Sequence, residues 1–160
     1  MAKKTNLYNL VTMRTFKITL LLTVVMFAVT SCATSLYNQY SFTKTLETKT
    51  EAITLIDVSD SPYTEHETEV KHLQNLLAQM VAYEQARERN EISAKMWQYL
   101  ASDASSLQKF LQLWQEQNTM NAAFTEEFKP QIAHIFDLMA DYESKKSKES
   151  ESALLNLLTE

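Results

Sequence analysis

The residues with chemical potential in this chain are few, and their spacings decide most of the question. Glu69-Val70-Lys71-His72 is a Glu-x-x-His sequence. On a helix, residues three apart share a face, and carboxylate-bridged metal centres in helical bundles use this spacing. Such centres need a second pair. His134 has Gln131 three residues before it, and His66 has Tyr63. A zinc site of His66, Glu69 and His72 fails on geometry, because six residues turn a helix by roughly 600° and aim the two imidazoles at different faces. Glu126 and Glu127 form a carboxylate pair of a kind that any acidic chain offers. Ser102 to Ser106 reads as a capping loop, since the Gly-x-Ser-x-Gly elbow cannot be built in a chain with no Gly. The same absence excludes glycine-based phosphate cradles and dinucleotide fingerprints. The expectation is therefore a protein with no catalytic residue, no metal and no cofactor. Trp97, Tyr99, Phe110 and Trp114 sit at helical spacings, where aromatic residues are usually core, with an apolar pocket as the alternative.

Cys32 is the single cysteine of 160 residues, so an intramolecular disulfide and a cysteine-rich metal site are both excluded. Lys3, Lys4, Arg14 and Lys17 precede it, Ile18 to Val29 form an apolar run, and Thr30-Ser31 lead into the cysteine. A basic start, a short apolar stretch and a small-residue exit are the three parts of an export signal. Twelve residues of helix reach only about 18 Å, short of a hydrocarbon core of about 30 Å. An uncleaved, tilted anchor is the alternative, as no charge occurs from Ile18 to Asn38. Thr30 to Ser35 is too hydroxylated to suit a membrane interior.

Val29-Thr30-Ser31-Cys32 resembles the lipobox of bacterial lipoproteins. That resemblance covers residues 14 to 33. It implies cleavage between Ser31 and Cys32, a diacylglyceryl group on the cysteine sulfur and further acylation of the new amino group. Met13-Arg14-Thr15-Phe16-Lys17 makes a more typical start than Met1. Ala33 stands where an Asp often retains such proteins in the inner membrane, so the resemblance points to the outer membrane, facing the periplasm.

All 20 acidic residues follow Cys32, leaving that part with 11 basic groups and a net charge of −9. Such a domain repels nucleic acid and anionic surfaces and stays soluble. With no Gly and only Pro62 and Pro130 as prolines, it has few hairpin options, and composition favours an all-α fold.

The organisation read from periodicity is a signal segment over 1–31, a lipid-anchored tether over 32–38, a bundle of four to five helices over 39–146, and a polar linker with an apolar tail over 147–160. A first helix from Gln39 to Val58 places Phe42, Leu46, Ile53 and Ile56 on one face. A second, Thr64 to Arg89, carries Val70, Leu73, Leu77 and Met80 at steps of three and four, with Arg87 and Arg89 in its last turn complementing the dipole. A third, Glu91 to Leu100, starts at Asn90 as N-cap. A fourth, Asp103 to Gln117, carries Leu107, Phe110, Leu111 and Trp114. A fifth ends near Lys146 and carries Phe128, Ile132, Ile135, Met139 and Tyr142, with Pro130 in its first turn or at a kink. Ser144 to Ser152 reads as frayed helix or linker, with disorder the expectation. Leu154, Leu155, Leu157 and Leu158 need a surface, on this bundle or on a partner.

The function expected from these features is a membrane-anchored periplasmic lipoprotein. Its contacts are the membrane, through lipid on Cys32, and a protein or envelope component bound by the bundle. A carrier of a small apolar ligand and a cell-envelope enzyme are the alternatives, since a helical bundle can host any of these.

Overall fold

The computed structural model describes residues 37–158. The expected signal segment, its Val29-Thr30-Ser31-Cys32 exit, Ala33 and most of the tether lie outside these residues. Within them the fold is all-α. The helices are α1 (Gln39–Asp57), α2 (Glu67–Gln85), α3 (Glu91–Ala101), α4 (Ser106–Gln117), α5 (Ala122–Lys145) and α6 (Lys148–Leu157), with a 3₁₀ turn at Tyr63–Glu65.

The helix starts are written in the side chains. Asn38, Ser105, Asn121 and Ser147 each accept a bond from the backbone N–H three residues on, satisfying a donor with no partner inside the helix. The helix ends are harder, because the left-handed backbone that usually closes a helix favours Gly. Here Asn118 (φ 65°) closes α4 and Lys146 (φ 47°) closes α5 in that conformation, and Arg89 (φ 55°) adopts it in the turn after α2.

α1 lies antiparallel to both α2 and α5. Asn38 at its start donates to the Tyr83 hydroxyl at 3.0 Å, and Glu51 pairs with His72 at 2.7 Å. Lys49 pairs with Asp137 near its middle, and Asp57 with Lys129 at its end. The bundle thus has one end where α1 begins and α2 and α5 finish. At the opposite end, backbone bonds from Met120 to Ser59 O (2.7 Å) and from Tyr63 to Asn118 O (2.6 Å) tie the two loops together.

The core follows the stripes expected for α2, α4 and α5. Leu73, Met80, Phe110, Trp114, Ile132 and Phe136 are all fully buried. Burying each such side chain contributes about 1.5–3 kcal/mol, which is what holds helices too short to be stable alone.

Four expectations need correction. Of the face expected for α1, Ile56 is buried and Ile53 packs against the core, but Leu46 is exposed and Phe42 only partly covered, so the buried face is a different one. It is Ser41, Thr45, Thr48, Ala52, Leu55 and Ile56, with Leu46 exposed. The hydroxyls can go inside because Thr45 bonds back to Ser41 O at 2.9 Å and Thr48 to Lys44 O at 2.7 Å, which removes the cost of burying them. α2 stops at Gln85, so Arg87 and Arg89 lie beyond its last turn. Of the two places expected for Pro130 the first turn is excluded, since it lies inside α5, at an exposed position. The segment read as polar linker and tail is α6, with Ser150 and Leu154 buried and Leu157 and Leu158 packed against the core. Serine and glutamate at its start mark a helix N-terminus, with Ser147 as cap and Glu149 and Glu151 in the first turn.

No helix among the described residues is long and apolar enough to cross a membrane.

Candidate functional site

The Glu-x-x-His pair is not a unit. His72 is turned across to α1, where its Nδ1 lies 2.7 Å from Glu51 Oε1, and Glu69 is exposed. His66 precedes α2 instead of lying within it, so the helical arithmetic does not apply to it. Its Nε2 meets Ser61 Oγ at 2.8 Å, and its ring lies 5.6 Å from that of Trp114. Among the described residues, no three His, Cys, Asp or Glu side chains are placed to hold a metal ion.

The aromatic residues considered for a ligand pocket fill space themselves. Trp97, Phe110 and Trp114 have no exposed surface, and Tyr99 packs partly buried beside them. Trp114 donates to Ser61 O at 3.1 Å and receives the edge of Tyr63 at 5.4 Å, so it locks the 3₁₀ turn to α4. The Trp97 indole N–H is buried without a hydrogen-bond partner.

Open clefts mark the surface of the described residues. One, of about 310 Å³, is lined by His72, Asn75, Leu76 and Gln79. Another, of about 350 Å³, lies between the end of α1 and the start of α5, lined by Asp57, Asp60, Ala122, Thr125, Glu126 and Lys129. Glu126 thus joins two aspartates, while Glu127 points to solvent elsewhere on the helix. Both clefts are bordered mainly by polar side chains.

The densest chemistry is at the other end, and it was not anticipated. Glu84 on α2 and Glu143 on α5 are both buried. Each sits at the C-terminal end of its helix, where the dipole disfavours a carboxylate. Each is answered by a cation three residues later and by a serine from a neighbouring helix. Ser41 of α1 donates to Glu84 Oε1, Asn90 Nδ2 to Oε2, and Arg87 Nη1 to Oε2 at 2.8 Å and to Ser41 Oγ at 2.9 Å. Ser93 of α3 donates to Glu143 Oε1, while Lys146 Nζ lies 2.8 Å from Oε2 and 3.2 Å from Ser93 Oγ. Asn90, expected as a cap, gives its side chain to Glu84 and makes no capping bond of its own.

Burial holds the Lys146 ammonium below its ordinary pKa, with its Glu143 partner opposing that shift. Its Nζ also lies 4.3 Å above the Tyr142 ring. Burial, with Glu151, Glu143 and Glu91 nearby, pushes Tyr142 up to about 12. Glu84 and Arg87 are close enough to act on the Lys146 charge, so the two clusters form one polar knot. The knot joins α1, α2, α3 and α5. Glu84 meets donors on both oxygens, whereas Glu143 Oε2 is buried with only the Lys146 ammonium beside it and no hydrogen bond of its own, so the cluster acts as a clamp between helices.

A signal for the knot was present. Val70, Leu73, Leu77 and Met80 continue in step to Glu84, and Ile132, Phe136 and Met139 to Glu143. A carboxylate in the register of a core stripe is a buried carboxylate. The chain matches no protein-family model, no curated protein and no solved structure.

Proposed function

We propose that this chain is a lipid-anchored envelope protein, held to a membrane by acyl chains on Cys32, whose helical bundle acts by binding another protein or an envelope component. The observation that carries the reading is the sequence Val29-Thr30-Ser31-Cys32 behind a basic start and the apolar run Ile18 to Val29. Each acyl CH₂ buried in lipid contributes about 0.8 kcal/mol, and two or three chains exceed the reversible single-chain regime. Ala33 after the cysteine favours the outer membrane, facing the periplasm.

Two features of the fold support binding over chemistry or carriage. The aromatic side chains that an apolar ligand cavity would have used are packed into the core. The open cleft at the far end of α1 is bordered by Asp57, Asp60 and Glu126 with Lys129 paired to Asp57, a net acidic, polar surface that suits a polar partner better than an apolar ligand.

The test is metabolic labelling with an alkynyl fatty acid, followed by membrane fractionation. The wild-type chain is expected to be labelled and to resist extraction by high salt, while Cys32→Ala is unlabelled and accumulates as precursor. Equal labelling of Cys32→Ala overturns the reading.

A further inference from the structure

Among the described residues, the large hydrophobic side chains that stand exposed are Tyr37, Tyr40 and Leu46, at 55%, 41% and 40%. All three fall within ten residues, at the start of α1 and just before it. They are not strays on an otherwise ordinary amphipathic helix. The first half of α1 turns Ser41, Thr45 and Thr48 inward and its aromatic and aliphatic residues outward. That inversion leaves apolar surface that the bundle covers only in part, through Tyr83 against the Tyr40 ring.

We infer that the first turn of α1 and the residues just before it form a footing that rests in the headgroup region of the bilayer, with Tyr37 and Tyr40 at its centre. The inference builds on the anchoring reading above. Three observations choose a lipid surface as the occupant. Tyr37 is only five residues from Cys32. At 3.3–3.6 Å per residue, that length of chain reaches at most about 18 Å, so a lipid on Cys32 keeps Tyr37 near the membrane surface. Tyrosine is the residue type that favours the membrane–water boundary, where an apolar ring and a polar hydroxyl are both satisfied. Charge agrees as well. Residues 37–46 contain Lys44 and no acidic side chain, in a chain with 20 acidic residues. Lys44 lies 5.8 Å from the Tyr40 ring, and Arg87 lies 5.8 Å from the ring of Tyr83, which meets Tyr40 at 4.7 Å in a tilted contact. Lys44 is paired with Glu47 and Arg87 with Glu84, so the patch is close to neutral and does not repel headgroups as the rest of this acidic surface does.

The footing would set orientation, not just attachment. Lipid on a flexible tether leaves a domain free to tumble, whereas a second contact beside the tether fixes which end faces away. Here that would be the end bearing Asp57, Asp60 and Glu126.

The test uses the intact acylated protein in vesicles of phosphatidylethanolamine and phosphatidylglycerol that carry a nitroxide headgroup quencher. Acylation blocks the Cys32 sulfur, so a fluorophore on an added cysteine reports one position. Thr43→Cys and Thr54→Cys place it at exposed sites on α1 that differ in height by about 16 Å at 1.5 Å per residue. The expected result is several-fold stronger quenching at position 43 than at 54. In a Tyr37→Ser/Tyr40→Ser background, quenching at 43 should fall toward the value at 54 while the protein still floats with the vesicles. Equal quenching at both positions in floating protein overturns the footing and leaves the anchoring intact. Failure of the native protein to float overturns both.

Discussion

The two ends of this bundle solve opposite problems with the same residue types. Where α1 ends and α5 begins, carboxylates face water, and the ion pair between Asp57 and Lys129 is half exposed. Where α1 begins and α5 ends, two carboxylates and two serines are buried with a lysine and a partly covered arginine against them, and Tyr37 and Tyr40 are outside. The first arrangement leaves each charge hydrated. The second is inverted, and the buried charges there depend on their protein partners. The lesson is that an ion pair's position, not its composition, sets its worth.

The largest effect expected from this contrast is at the polar knot. Glu143→Ala leaves Lys146, only 7% exposed, without its carboxylate. Breaking a buried pair from one side costs about 3–5 kcal/mol, because the remaining charge is stranded. Asp57→Ala at the other end removes a pair between groups 41% and 49% exposed and should cost about 0–1 kcal/mol. Urea denaturation of the two variants checks the difference, and equal costs would mean that the ends are not distinct.

Next in size is α6. Leu154 is fully buried, and Leu154→Ala should lower stability by about 2–5 kcal/mol. An unchanged urea midpoint would mean that the terminal helix contributes nothing to the fold.

The knot also has a pH signature. Tyr142 titrates at about 12 in the fold against an ordinary value of 10.0. A phenol whose pKa is raised by folding contributes stability that is fully present below pH 10 and is lost as pH rises toward 12. Thermal melts across that window should show the loss in the wild type and less of it in Tyr142→Phe. An identical pH profile for the two would place the tyrosine's burial in doubt.

How much of this was legible in the sequence depended on whether packing followed polarity. Leu107, Phe110, Leu111 and Trp114 read as one face of α4 and are one buried face, because nothing but core suits them. The stripe of α2 was equally clear. α1 was misread because the threonines that weaken a helix in isolation are the residues it buries, their hydroxyls satisfied by the carbonyls four residues back. Glu84 and Glu143 were passed over as two acidic residues among 20, although each falls in the register of its helix's apolar stripe. α6 was hidden by its Ser, Lys and Glu content, which describes a capped helix start as well as it describes a linker. Of the site residues, the aromatic ones were correctly weighed as core. His66 and His72 were placed on one helix, whereas His66 lies before it.

Smaller effects sharpen the same contrast. Arg89 is exposed and left-handed, and an L-residue with a Cβ in that conformation carries about 1–2 kcal/mol of strain. Arg89→Gly should therefore raise stability slightly, less the added freedom of Gly in the unfolded chain. Leu46→Ser should change it by no more than about 0.5 kcal/mol, since its side chain is turned outward. A cost as large as that of Leu154→Ala would contradict the inverted face of α1.

Anchoring through Cys32 is tested most directly by the mass of the mature protein. Protein purified from the envelope in detergent should yield an N-terminal peptide that begins at Cys32 and carries a diacylglyceryl group on sulfur, with acylation of the amino group accounting for any further mass. A peptide that begins at Met1 or Met13, or a Cys32 with a free thiol, would contradict it.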